Sequence, residues 1–185
     1  MENDAWRRLR NGDILALASL FDEYKDDLFS YGIHVFKKRE LVENAIQDLF
    51  VELASKWSKL PEVNCLKAYL FRALRYKIQR QLSAFNAKNE RLFTDVFDHD
   101  LTQISPEDQL VNAETKRLND QKIRHTILQL APREKEIIHL RFYQDLSFEK
   151  IADIMNLNYQ TSRNLLARAI KKIRCKFDEH YLAQK

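Results

Sequence analysis

Glycine and proline are scarce, with 2 Gly and 3 Pro in 185 residues. Folds built from many hairpins draw their turns largely from those residues, so an all-β architecture is excluded. Two cysteines, Cys65 and Cys175, are too few for a disulfide framework. No apolar run approaches the ~18 residues of a membrane-spanning helix, and the first residues lack the apolar stretch of a signal peptide. These absences lead us to expect a reduced, cytoplasmic protein. What is abundant is Leu, Ala, Lys, Arg, Glu and Gln in long stretches, and these favour helix. At 45% hydrophobic residues the chain has enough apolar material for a core, while 31% charged residues keep its surface wet.

The net charge is only +4, and its distribution says more than its size. Residues 1–91 hold 16 basic and 13 acidic side chains; residues 113–185 hold 15 and 9. Between them, residues 92–112 hold no base and five acids: Asp95, Asp98, Asp100, Glu107 and Asp108. Two basic blocks around an acidic segment suggest a polyanionic partner for the ends and a separate role for the middle.

Helical spacing of apolar residues marks the elements. Ile14, Leu17, Leu20, Phe21, Tyr24, Leu28 and Tyr31 form one stripe, predicting a helix from about Asp13, its cap, to Tyr31. Val42, Ala45, Ile46, Leu49, Phe50, Leu53 and Trp57 predict a second, from about Glu40 to Lys59, stopped by Pro61. Phe50 and Trp57 are expected in the core. A third, about Leu66 to Phe85, carries Lys67, Arg72, Arg75, Lys77 and Arg80 without an acid, with Tyr69, Phe71 and Tyr76 interleaved. Phe71 is read as core and Tyr69 is left open. Periodicity fades over Phe93–Ile104. Ser105-Pro106-Glu107-Asp108 then reads as the start of a helix to about Leu130, and Pro132 opens another with Ile137, Ile138, Leu140 and Phe142 as its apolar positions.

The C-terminal pattern is the sharpest. Ser147 caps a short helix to about Met155, Asn156-Leu157-Asn158 makes a turn, and Asn158 caps a helix with no acid from Tyr159 to Lys176. This is a helix-turn-helix, with Ala152 at the crossing and Ile151, Ile154 and Leu157 between the helices. Ser162, Leu166, Ala169 and Ile173 should point inward, and the buried hydroxyl of Ser162 needs a partner. Tyr159, Gln160, Arg163, Asn164, Ala167 and Lys171 share the outer face, where amides and guanidinium read base edges and cations, Arg168 among them, hold phosphates.

Leu146-Ser147-Phe148-Glu149-Lys150-Ile151-Ala152, with Thr161 and Ala167-Arg168-Ala169-Ile170-Lys171-Lys172-Ile173-Arg174, resembles region 4 of a bacterial sigma-70 family sigma factor. Leu128-Gln129-Leu130-Ala131-Pro132-Arg133-Glu134 is similar to the lead-in to that region. Val42-Glu43-Asn44-Ala45-Ile46-Gln47-Asp48-Leu49-Phe50 resembles region 2.2, and Lys67-Ala68-Tyr69-Leu70-Phe71-Arg72-Ala73-Leu74-Arg75 resembles the start of the helix that reads the −10 element. The order and short length are those of the extracytoplasmic-function (ECF) group, which keeps only regions 2 and 4. The chain departs from the usual pattern at Asn44 (an acid), Tyr69 (Trp), Asn156 (Gly), Ser162 (an apolar residue), Lys77 (apolar) and Arg80 (acidic).

The resemblance implies an all-α fold of two small helical domains, a region 2 bundle (1–91) and a region 4 helix-turn-helix (113–185), joined by the acidic linker (92–112). It implies binding to core RNA polymerase, through the β′ clamp helices and the β flap, with Asn44, Gln47, Asp48 and Val51 on the docking face. It assigns the −10 element to Lys59 and Asn64 in the loop before the third helix and to Arg72, Arg75, Tyr76, Gln79 and Arg80 on it, and the −35 element to the last helix. It assigns the linker to the polymerase RNA path, with a plain solvated acidic linker as the alternative, and suggests an anti-sigma factor as partner; free members of the family are often held compact with their DNA faces hidden, which leaves the relative position of the two domains open. No cofactor, metal or catalytic role is expected: the five His lack metal-ligand spacing, no Gly-rich phosphate loop exists, and Asp98-His99-Asp100 reads as polar linker. A stand-alone regulator binding duplex DNA without polymerase accounts for Ser147–Arg174 but not for the basic, aromatic third helix.

Overall fold

Every regular element among the described residues is helical, as the Leu-, Ala- and Lys-rich stretches favour. The computed structural model describes residues 4–88, 126–127 and 129–182, with side chains described as far as 83 in the first span and 175 in the last. Four helices form the N-terminal part: α1 (Asp4–Arg10), α2 (Ala16–Phe36), α3 (Arg39–Ser55) and α4 (Leu66–Lys88). In the C-terminal part α5 (Pro132–Ile138) runs into a π-helical turn (His139–Tyr143), followed by α6 (Phe148–Met155) and α7 (Tyr159–Leu182). The acidic linker and most of the expected helix over Ser105–Leu130 lie outside the described residues.

Helix α1 is an element the apolar periodicity did not announce. Its Trp6 and Leu9 are fully buried, and the Trp6 indole donates to the Pro61 carbonyl at 3.1 Å. Asp13 stands outside α2, accepting the Leu15 N–H at 3.1 Å while pairing with Arg8 at 2.6 Å. Leu20, Leu28 and Tyr31 of its stripe are buried, but Ile14 and Phe21 are exposed. The helix runs past Tyr31 through Gly32, where a Cβ would lie 2.4 Å from a Val42 methyl. Glycine there lets α2 and α3 touch backbone to side chain.

Val42, Ala45, Ile46, Leu49, Phe50 and Leu53 of the α3 stripe are all buried. Helix α3 stops at Ser55, well before Pro61, and Trp57 starts a short 3-10 turn, Trp57–Lys59. The expectation of a core Trp57 is corrected: leaving the α3 register turns its ring onto Gly12, and 37% of it stays exposed. Phe71 is fully buried, as expected.

In the C-terminal part Pro132 occupies the first turn of α5, and the Glu134 carboxylate accepts the Ala131 N–H at 3.0 Å. Ile137, Ile138 and Leu140 are buried, whereas Phe142 is 62% exposed, a second correction. The wider π turn that begins at His139 breaks the α-helical register and carries Phe142 off the inner face.

The two parts pack against each other along one seam, α4 on α6 and α2 on α5 and the π turn. At its centre Glu136 Oε1 accepts from the Tyr31 hydroxyl at 2.6 Å and from Arg75 Nε at 2.8 Å, and all three side chains are buried. Each polar atom drawn out of water in that triad meets an opposite or hydrogen-bonding partner, which burial of charge demands. Beside it His139 is 2% exposed, its ring stacked on Tyr143 and 4.6 Å from that of His34. Burial, helped by the neighbouring His34, pushes the imidazole down to about 3, so it is neutral there.

Candidate nucleic-acid interfaces

The helix-turn-helix forms as the sequence pattern requires. Ser147 occupies the N-cap position of α6, although its hydroxyl makes no capping bond. Asn156 closes α6 in the left-handed region at φ 52°, which Asn tolerates better than most residues. Asn158 then caps α7, its side-chain oxygen accepting the Thr161 N–H at 2.7 Å. Ile151, Ala152 and Ile154 are buried at the crossing, and Leu157 is half-buried. Ser162 is fully buried and donates its hydroxyl to the Asn158 carbonyl at 3.1 Å, so the inward polar group has its partner.

That inward anchoring leaves the opposite face of α7 in water. Tyr159, Gln160, Arg163, Asn164, Ala167, Arg168 and Lys171 are all exposed. The Gln160 and Asn164 amides are linked at 3.2 Å, and the Arg163 guanidinium lies 5.9 Å from the Tyr159 ring centre. Such a face offers flat donor–acceptor groups at one-turn spacing, with cations on either side. Lys172, one step round the helix, is instead turned back to buried Glu134 at 2.7 Å.

The residues expected at the −10 element divide between two faces of α4. Lys59, Tyr76 and Arg80 line a groove of about 470 Å³ between α3 and α4, together with Tyr69, Lys77 and Glu52. Tyr69 is half-buried against Trp6, ring centres 5.3 Å apart, and Tyr76 is 66% exposed. Arg72, Arg75 and Gln79 face the seam. Arg72 pairs with Asp153 of α6 at 2.7 Å, and Arg75 is buried against Glu136 of α5. Asn64 is exposed in the loop before α4 and does not line the groove. The structure therefore brings together three of the seven, pairs Arg72 and Arg75 with the C-terminal part, leaves Gln79 exposed beside Arg75, and leaves Asn64 apart.

Glu52 was not singled out by its sequence context, yet it organises the groove. Its carboxylate accepts from Lys56 at 2.6 Å and from Lys77 at 2.5 Å, and those hydrogen bonds hold it down to about 2. The i, i+4 spacing of Glu52 and Lys56 was a legible signal; the reach of Lys77 from another helix was not. On the outer side of α3, Asn44, Gln47, Asp48 and Val51 are all exposed on one strip, with Val51 at 67%. Asp48 also accepts from the Gln81 amide at 3.0 Å.

Among the described residues no group of three His, Cys, Asp or Glu could hold a metal ion, and no helix is long and apolar enough to cross a membrane. Asp98-His99-Asp100 lies outside them.

Comparison with known proteins agrees with this geometry. Residues 120–173 match the family described as Sigma-70, region 4. The chain is 23% identical over 171 residues to the ECF RNA polymerase sigma factor BldN of Streptomyces coelicolor, covering 90% of this chain but only 62% of that protein. It is 22% identical over 167 residues to the RNA polymerase sigma factor SigV of Bacillus subtilis, covering 90% of this chain and 94% of that one. Among solved structures it is similar in fold to the sigma factor RpoE of Bartonella quintana, solved with the anti-sigma factor NepR, at a TM-score of 0.66 and 18% identity over 87% of this chain and 96% of that one. It is likewise similar to CnrH, solved with the cytosolic domain of CnrY, at a TM-score of 0.63 and 18% identity over 95% and 96%.

Proposed function

We propose that this chain, a sigma factor of the ECF group of the sigma-70 family, binds core RNA polymerase and directs it to promoters by reading a −35 and a −10 element. One observation carries the reading: an exposed face of amides and cations on α7 and a basic groove lined by aromatic residues between α3 and α4 occur in the same short chain. A stand-alone regulator has a use for the first and none for the second.

In this reading residues 1–91 act on polymerase and the −10 element, 92–112 link, and 113–185 act on the −35 element. The α7 face enters the major groove, with Arg163 and the Gln160–Asn164 pair at base edges and Arg168 and Lys171 at phosphates. The α3 strip Asn44, Gln47, Asp48, Val51 docks on polymerase. In the groove, Tyr69 and Tyr76 stack on unpaired bases, a contact of ~1–3 kcal/mol each, while Lys59 and Arg80 hold the backbone. Arg72 and Arg75 reach a DNA strand only after the seam parts, because Asp153 and Glu136 now hold them, and exposed Gln79 stands beside Arg75. Polymerase supplies the chemistry, so the chain needs no catalytic group. An anti-sigma factor is its expected regulator, in keeping with the partner of RpoE.

The test is transcription in vitro with core polymerase on a promoter library. New start sites sharing two spaced motifs are expected, along with co-purification with core enzyme. Duplex binding by the chain alone, with neither new start sites nor co-purification, would instead establish the stand-alone regulator.

A further inference from the structure

The groove between α3 and α4 contains an arrangement of charge that bears on which base it accepts. It has two carboxylates, of which Glu52 has both oxygens occupied and Asp48, on the exposed strip of α3, has one. Glu52 Oε1 accepts from Lys56 Nζ at 2.6 Å and Glu52 Oε2 from Lys77 Nζ at 2.5 Å. Asp48 Oδ2 accepts from the Gln81 amide at 3.0 Å. Lys77 reaches Glu52 from α4 with only 20% of its side chain exposed, so it is held in place, whereas Lys56 is 59% exposed. Around Glu52 the remaining charged atoms are donors, the unspent ammonium protons of Lys56 and Lys77, with Lys59 and Arg80 on the same wall.

From this geometry we propose that Lys77 is a specificity-determining residue that caps Glu52 and makes the groove a reader of keto rather than amino base edges. The inference rests on the −10 reading above. Donors gathered around a fully occupied Glu52 suit an edge made of acceptors, such as O6 and N7 of guanine or O4 of thymine. Around Lys77 the wall presents no free Glu52 oxygen to the exocyclic amino group of adenine or cytosine. Glu52 would receive such a group only if one of its oxygens were released, and Lys77 holds the oxygen that faces α4. Stacking on Tyr69 and Tyr76 is indifferent to base identity, so it supplies affinity without altering this preference.

The experiment uses holoenzyme assembled from the full chain and core polymerase, on a promoter library randomised across the −10 region. Wild type is expected to favour guanine or thymine at one position. Lys77→Met keeps the side-chain length, removes the cap, and should shift that position toward adenine or cytosine by about tenfold. Lys77→Arg retains a cationic cap and should keep the wild-type preference. Lys77→Met with Glu52→Met removes the released acceptor and should lose the new amino preference. Thermal midpoints within about 2 °C of wild type confirm that the fold is kept. Unchanged base frequencies in Lys77→Met, or an amino preference that survives the double substitution, would overturn the inference. A wild-type holoenzyme with no −10 preference at all would bring down the functional reading first, and this inference with it.

Discussion

Helices α4 and α7 are both long, basic and free of acids over Leu66–Lys88 and Tyr159–Lys176, yet they stand in opposite situations. On α7 the cations of the outer face meet water, and among the described residues neither Arg163 nor Lys171 has an acidic partner. On α4 most of the cations are answered from within the molecule: Lys67 by Asp27, Arg72 by Asp153, Arg75 by Glu136, Lys77 by Glu52. The cause is position. Helix α7 lies at the outer edge of the C-terminal part, held by one inward face, whereas α4 is sandwiched between α3 and α6. A basic helix is thus a ready DNA reader only where the fold leaves it a free side.

The contrast can be broken most forcefully at Glu136. Removing it with Glu136→Ala strands the buried Arg75 guanidinium and the Tyr31 hydroxyl, and a cost of ~3–5 kcal/mol in denaturant unfolding is expected. Replacing both charges, by Arg75→Met with Glu136→Leu, should recover most of that loss. If the single variant were as stable as wild type, the buried triad would not be holding the two parts together.

On the α7 side the largest effect should come from Arg163→Ala. A loss of ~1–3 kcal/mol in discrimination of the −35 element is expected, read as relaxed preference at one or two base pairs with thermal stability unchanged. A uniform loss across all sequences would make Arg163 a phosphate contact instead.

The seam should also answer to pH through His139. Its folded pKa is depressed to about 3 from an unfolded 6.5, so the unfolded or parted state binds the proton more readily. The seam's stability is therefore complete above 6.5 and falls as pH drops from 6.5 toward 3. At pH 5.5 the loss from this group is on the order of 1 kcal/mol, measurable as the difference between thermal melts of wild type and His139→Phe across that window. Parallel pH profiles for the two proteins would remove His139 from the account.

The smallest effect is expected at the rim. The Arg72–Asp153 pair is more than half exposed, so Asp153→Asn should cost only ~0.2–1 kcal/mol. A larger loss would show that the rim, and not the Glu136 centre, holds α4 against the C-terminal part.

Much of the fold and part of the candidate site were legible in residue order. The helix-turn-helix was, because its caps, crossing alanine and turn are local and fall within 30 residues of Ser147. The apolar run of α3 was, because six of its positions follow one period. Trp57 and Phe142 were misplaced because each lies where the chain leaves the α-helical register, at a 3-10 turn and a π turn, and periodicity carries no warning of either. Helix α1 escaped notice because three apolar residues in seven, Ala5, Trp6 and Leu9, make too short a stripe to recognise. The −10 set was read as one surface because helical spacing alone does not say which neighbour covers which side of α4.

The chain by itself determined its elements, its two basic blocks and the outward face of α7, all of which depend on residues close together in sequence. Tertiary structure alone decided that Tyr31 and Arg75 meet at Glu136, 105 and 61 positions away, and that Lys77 meets Glu52, 25 away. Those pairings depend on how helices pack, and buried charge then accepts whichever partner the packing brings within reach.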